Sequence, residues 1–277
     1  MTSSSVRAPV HHVAAVRMRA TSWLYLLVLA IVSAIVFLWP LFVSPDSPLA
    51  GKPATTVYFA LIIPLLIVAV IVEITNGGLD VRALAMLGVL TAVGAAVRPL
   101  GAGTAGFESV FFVLILGGRV FGPAFGFLLG STVLFTSALL TGGVGPWLPY
   151  QMLAASWVGF GAGLLPPTRG KAEIATLIAY GAVSALGYGA VMNMSFWPFV
   201  IGLDTDVSMV PGAPVLDNLH RFIIFCLTTS LGWDLGRAFF TGVLLAITGT
   251  PLLAALRRAA RRAAFDRTPQ FHPEVTE

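Results

Sequence analysis

Apolar residues run along this chain in long blocks separated by short polar or glycine-rich connections. Eight blocks can be drawn, at 22–43, 55–75, 82–98, 105–118, 121–141, 148–165, 174–198 and a last one ending near Arg257. A helix needs about 20 apolar residues to cross about 30 Å of hydrocarbon, and most of the blocks approach that length. The pattern predicts helices, because a transmembrane barrel would show segments of about ten residues alternating with period two. Two places fit less simply. The block at 105–118 is short for a crossing at about 1.5 Å per residue, so it reads as a short or tilted helix, or one that borrows from the Gly-rich loop 101–106. The stretch 218–257 is too long for one span. Counting back about twenty residues from Arg257 starts the last span near Arg237, leaving 217–231 as an outer-surface helix or the extension of a long tilted one.

Composition narrows the class. Of 277 residues, 57% are hydrophobic and 10% charged, and the mean hydropathy is +0.91. Charge that scarce cannot coat a globular surface of this size, so the chain reads as an all-α polytopic membrane protein. Cys226 is the only cysteine, which excludes an internal disulfide and thiolate metal sites. His11, His12 and His272 lie in the polar tails and only His220 is near the membrane-embedded part, so neither a metal nor another cofactor is expected.

The net charge of +4 comes from cations at the ends of the apolar blocks. That placement suits topology and anionic-lipid contact, not nucleic acid. Arg7, Arg17 and Arg19 precede the first block, which exceeds a signal-peptide core and reads as an uncleaved anchor. With the N-terminus in the cytoplasm, Arg82, Arg119, Arg169, Lys171 and the C-terminal Arg257, Arg258, Arg261, Arg262 and Arg267 fall inside. Chiefly Lys52 and Arg98 fall outside. The positive-inside rule then predicts an even number of spans with both termini on the cytoplasmic side of the plasma membrane.

Within the blocks a few residues carry chemistry. Between 119 and 166 two glycine-studded stretches flank the turn Gly142-Gly143-Val144-Gly145-Pro146-Trp147-Leu148-Pro149. Small residues let membrane helices approach closely, and a non-helical turn at membrane depth is tolerated where it lines protein or a cavity. Gly88, Ala92 and Ala96 recur every four residues and form one smooth stripe, for packing within the chain or for a partner. Glu108 needs a cavity or a cation, since a lone carboxylate in a bilayer is costly; Arg98, ten residues earlier, is the expected partner. Asp234 and Arg237 share a helix face and, with Trp233, make a polar aromatic patch that either neutralises itself or serves a ligand. Trp147, Tyr150, Gln151, Asn193 and Trp197 approach the same side, which predicts a pocket for a polar, largely uncharged molecule. The polar loop 202–218 reads as a lid or an ordinary connection. No P-loop, zinc signature or serine–histidine arrangement accompanies them, so the chain is expected to bind a substrate without acting as an enzyme.

From Arg82 to the C-terminal arginines, about two thirds of the chain resembles the substrate-binding S component of energy-coupling factor (ECF) vitamin transporters. The resemblance is carried by the small-residue helix 82–98, by Gly117-Gly118-Arg119-Val120-Phe121-Gly122-Pro123-Ala124-Phe125-Gly126-Phe127, by the turn from Gly142 to Trp147 with Pro149 and Gln151, and by the final helix with its basic end. It implies a six-helix core that binds a micronutrient on the extracellular side and works with a transmembrane coupling subunit and two cytoplasmic ATPases. It also implies docking of the coupling subunit on Gly88, Ala92 and Ala96, and a gating loop from Arg98 to Phe107. The chain then divides into a cytoplasmic tail (1–20), a two-helix extension that the usual S component lacks (21–78), the core (79–256) and a basic cytoplasmic tail (257–277). Cobalamin or a corrinoid precursor is the first expected substrate, with riboflavin, biotin or a pantothenate-like molecule as others. Two other classes stay open: a self-sufficient secondary transporter, and a membrane-embedded enzyme using Glu108, Asp234, Arg237 and His220.

Overall fold

The computed structural model describes residues 20–47, 68, 81–101, 104–200 and 205–262. The chain is an all-α polytopic membrane protein. Among the described residues it forms α1 (Ala20–Leu38), α2 (Val81–Gly101), α3 (Phe111–Phe121), α4 (Pro123–Thr141), α5 (Leu148–Gly163), α6 (Gly170–Val200), α7 (Val215–Thr229) and α8 (Leu231–Arg262). Five helices are long and apolar enough to cross a membrane: α1 with its following 3-10 turn, α2, α4, α6 and α8. The expected span at 55–75 and both tails lie outside the described residues. Large apolar side chains such as Val81, Leu100, Val183, Phe239 and Ile247 face outward on α2, α6 and α8. A continuous apolar exterior of this kind is what lipid as solvent selects and what water penalises.

Helix α3 has only 11 residues, about 16 Å at about 1.5 Å per residue, and it sits in the middle of the bundle. Its buried residues cover nearly its whole circumference, from Phe111 to Phe121, as expected of a helix that is apolar all round. It begins later than the apolar block suggests. Residues Thr104–Gly106 form a separate 3-10 turn in which Ala105 (φ 51°) and Gly106 (φ 79°) take left-handed conformations, and these stop a helix from running through. Its far end stops at Gly122, whose φ of 100° turns the chain before Pro123 opens α4.

Two pairs of helices approach through missing side chains. In α4 and α5 the pairs Gly126–Gly159 and Gly130–Ala155 meet so closely that a methyl group on either Gly126 or Gly130 would overlap the facing backbone. This is the small-residue packing expected of the glycine-studded stretches. A second stripe, Gly181, Ala185 and Gly189 on α6, lies against Thr241, Arg237 and Asp234 of α8. Dispersion contacts and interhelical hydrogen bonds hold such pairs, since lipid offers no hydrophobic drive between helices.

The last apolar stretch is two helices, separated at Ser230 (φ −125°). Helix α8 starts at Leu231, a turn and a half before the start near Arg237 expected from counting. Between Arg237 and Arg257 it has no charged residue, a run of about 28 Å that matches the hydrocarbon thickness. Helix α7 is shorter and lies beside it, with Phe222 and Phe225 buried. Helix α1 is bound to the rest: Trp157 of α5 donates to Ser33 Oγ at 3.0 Å, and Trp23 packs on Phe160 and Trp39 on Phe199. The Gly212 N–H donates to the Val43 carbonyl at 2.9 Å, tying the α6–α7 connection to the end of the α1 segment.

Candidate functional site

Charged side chains gather at two levels of the bundle. At the first, Glu108 stands in the turn before α3, while Asp234 and Arg237 occupy the first two turns of α8. Arg237 Nε and Nη2 donate to the two Glu108 oxygens at 3.1 and 3.3 Å. Its Nη1 donates to Asp234 Oδ1 at 2.6 Å and to the Ala185 carbonyl at 3.2 Å. The planar guanidinium fork suits this double engagement. The Phe111 and Tyr188 rings lie 5.7 and 5.1 Å from the guanidinium carbon, giving the cation aromatic faces in place of water. Arg237 and Asp234 are each 9% exposed and Glu108 is 28% exposed. Two carboxylates thus share one guanidinium, and the carboxylate open to its surroundings is Glu108.

Sequence spacing pointed to Arg98 as the partner of Glu108, and the structure corrects this. The loop before α3 is seated on α8: a methyl group on Gly106 would overlap the Trp233 carbonyl, and one on Gly236 would overlap the Ala105 carbonyl. That close approach puts Glu108 within reach of Arg237. Arg98 turns the other way, donating to Ser137 Oγ of α4 at 3.4 Å and to Gln151 Oε1 of α5 at 3.3 Å. Ser109 Oγ donates to the Val97 carbonyl at 2.6 Å. Arg98 and Glu108 therefore leave from adjacent backbone in opposite directions.

The other expected site residues divide. Asn193 Nδ2 donates to Ser230 Oγ at 2.5 Å and to Cys226 Sγ at 3.3 Å, joining α6 to the α7–α8 junction. Trp197 is 1% exposed, donates its indole N–H to the Val207 carbonyl at 2.7 Å and packs on Phe222. Tyr150 is buried with its ring 5.7 Å from that of Phe37 in α1. Both occupy packing positions. Trp147, Trp233 and Phe107 keep large exposed surfaces, and Phe107 stands edge-on to Phe240 at 4.9 Å. The connection 205–214 is tied down by Asn218, which accepts from the Val210 N–H and donates to the Val210 carbonyl.

At the second level, Glu173 in the first turn of α6 accepts from Arg119 Nε at 2.7 Å and from Arg257 Nη2 at 2.5 Å. Arg119 also donates to the carbonyls of Leu165, Pro166 and Thr168, so one guanidinium stitches the end of α3 to the α5–α6 connection. Glu173 went unread in the sequence although it left a signal, a lone carboxylate among the cations Arg169 and Lys171 at the start of an apolar run. An acidic side chain there also suits the positive end of the helix dipole. Tyr188, Ser137 and the stripe of Gly181, Ala185 and Gly189 were missed too, and the four-residue spacing of the stripe would have revealed it.

Gly88, Ala92 and Ala96 lie on the exposed face of α2, and a methyl group on Gly88 would meet nothing within 4 Å. The opposite face carries Ala83, Leu87, Leu90 and Gly94, and it is this face that packs, with Gly94 against Val133 of α4. Internal packing, one of the two uses open to the stripe, is thus not its use among the described residues. Compared with known protein families, curated proteins and solved structures, the chain matches none.

Proposed function

We propose that the chain is the membrane-embedded substrate-binding subunit of an ECF-type importer. It captures a vitamin or related micronutrient from outside and delivers it through a transmembrane coupling subunit powered by two cytoplasmic ATPases. The observation that carries the reading is the small-residue face of α2, Gly88, Ala92 and Ala96, exposed among the described residues, on the same helix whose end supplies Arg98 to Ser137 and Gln151. One helix thus joins a docking face to a binding end. In this reading the Arg98 and Glu108 end faces outward, the end with Arg119, Glu173 and Arg257 faces the cytoplasm, and the membrane is the plasma membrane. The loop from Arg98 to Phe107 acts as the gate. ATP hydrolysis falls to the partners, as the sequence has no phosphate-binding loop.

The test is a ligand panel on the purified protein in detergent or nanodiscs, beginning with cobalamin, corrinoid precursors, riboflavin, biotin and pantothenate, followed by uptake assays. One micronutrient should raise the melting temperature, and concentrative uptake should require the ATPase module. Uptake by this chain alone in proteoliposomes would instead establish a secondary transporter. A membrane-embedded enzyme is the second reading, because Glu108, Asp234 and Arg237 do converge. Turnover of a lipid or peptide that is lost on substituting these three would favour it.

A further inference from the structure

Arg119, Arg237 and Arg257 each bind a carboxylate. Arg98 does not: among the described residues no acidic oxygen lies within ion-pair distance of it. Its Nη1 donates instead to Ser137 Oγ and its Nη2 to Gln151 Oε1, both neutral and both at long range, 3.4 and 3.3 Å. A lone arginine near the end of a membrane helix ordinarily extends its stem toward headgroups and water. This one turns into the bundle, since Ser137 is fully buried and Arg98 and Gln151 are half-buried. A positive charge is thus drawn between α2, α4 and α5 with no negative partner in the described chain.

The neighbours of Arg98 hold unused donors as well. Ser131 and Thr141 of α4 donate their hydroxyls to carbonyls three and four residues earlier. The Ser137 hydroxyl proton has no acceptor among the described residues, although the side chain is fully buried. Arginine can only donate, so Gln151 turns its amide oxygen to the guanidinium and its Nε2 hydrogens away, and these too have no acceptor among the described residues. Gln151 stands in the first turn of α5, where the helix dipole adds positive potential. Three side chains joined at one guanidinium therefore offer spare hydrogen-bond donors and positive charge without a counter-charge. That chemistry is complementary to an oxyanion.

We propose that Arg98, Ser137 and Gln151 form an oxyanion subsite, and that the molecule the chain captures carries a carboxylate or phosphate held there. The inference rests on the importer reading and names the charge of its substrate. It replaces the largely uncharged molecule expected from the aromatic and amide residues with an anionic one.

The experiment measures thermal shift and equilibrium binding on the full chain in phosphatidylcholine nanodiscs, with probes paired so that one member carries the oxyanion and the other lacks it. The pairs are pantothenate with pantothenol, biotin with biotinamide, and flavin mononucleotide with riboflavin. The charged member of at least one pair should bind about ten- to a hundredfold more tightly than its neutral partner, the worth of one charge-assisted contact, and the pair that discriminates tells carboxylate from phosphate. Arg98→Gln should erase the difference by weakening the charged member alone, and Ser137→Ala should weaken that member severalfold while leaving the neutral one unchanged. Equal binding within every pair, or no binding by any charged member, overturns the proposal, and this comparison needs only the wild type should a variant fold poorly. Discrimination that survives Arg98→Gln overturns it as well. So does a melting temperature of the ligand-free chain that rises when phosphatidylglycerol replaces part of the phosphatidylcholine, with the rise lost in Arg98→Gln, because Arg98 then serves a lipid headgroup. If the members of a pair bind alike and their uptake requires the ATPase module, the oxyanion inference falls and the importer reading stands. If the charged member binds through Arg98 but uptake needs no ATPase partner, the importer reading falls and the oxyanion inference stands.

Discussion

Gly189 of α6 meets Asp234 of α8 so closely that a methyl group at position 189 would overlap the carboxylate. The contact leaves the Asp234 side chain no room to swing toward α6 and holds it on Arg237, 2.6 Å away. Packing and electrostatics are therefore one feature at this site. An absent side chain on one helix sets the direction of a charge on the next.

Gly189→Ala should accordingly destabilise the protein by about 1–3 kcal/mol, the usual cost of overpacking a tight contact, and displace Asp234 from Arg237. Melting temperature in detergent reads the first effect, and ligand affinity reads the second. Gly187→Ala, two residues away with nothing within 4 Å of its added methyl, is the control and should behave as wild type. Equal effects at both positions would show that helix propensity, not the Asp234 contact, is responsible.

Removing Arg237 should be worse than removing either of its carboxylate partners. Arg237→Leu leaves Glu108 and the buried Asp234 facing each other with no cation and vacates the space between Phe111 and Tyr188. Breaking a buried pair this way costs about 3–5 kcal/mol. Glu108→Gln keeps a hydrogen-bond acceptor for Arg237 and removes the surplus negative charge, so its effect on stability should be small. Thermal denaturation of the two variants side by side checks the order, and a Glu108→Gln variant less stable than Arg237→Leu would contradict it.

Much of the architecture was legible because lipid imposes a simple rule: apolar blocks are helices. Close helix approach through the glycine-studded stretches was legible in their small residues; which positions meet, Gly126 with Gly159 and Gly130 with Ala155, was not. The site was legible only in part. Asp234 with Arg237 was readable, since three residues on a helix fix their mutual position. The Glu108–Arg237 pair was not, because it spans 129 positions and depends on Ala105 and Gly106 seating a loop on α8. Local spacing favoured Arg98 for the same reason that it misled, as nearness in sequence says nothing about which way two side chains leave a turn. Trp197 and Tyr150 look in sequence like any interfacial aromatic residue; only the packing of α1 and of the α6–α7 connection reveals their burial.

Ala92→Trp tests the exposed face of α2. Ala92 is exposed and lies off the face of its helix that packs among the described residues, so a bulky side chain there should leave the melting temperature and ligand binding of the isolated chain unchanged. Close helix docking depends on a smooth surface, so the same change should abolish co-purification with the coupling subunit and its ATPases. Retention of the complex would assign the stripe to lipid contact alone. Loss of stability in the isolated chain would reveal packing within the protein.

Glu173 is the keystone of the opposite end, and its removal should exceed the removal of either arginine in a defined order. One carboxylate, 3% exposed, neutralises Arg119, 6% exposed, and also engages Arg257, 30% exposed. Glu173→Gln strands the Arg119 guanidinium in a buried setting, where an unpaired charge costs several kcal/mol. Arg257→Ala removes the more solvated member and leaves Glu173 still paired, so it should cost less than about 1 kcal/mol. Arg119→Ala falls between the variants in charge but also releases three backbone carbonyls of the α5–α6 connection. Its signature should therefore be faster proteolysis within 164–169 as well as a lower melting temperature. Limited proteolysis of the three variants separates these effects: cleavage in that connection should rise most for Arg119→Ala and least for Arg257→Ala. If Arg257→Ala proved as damaging as Glu173→Gln, the end of α8, and not the Arg119–Glu173 pair, would be what holds this end of the bundle closed.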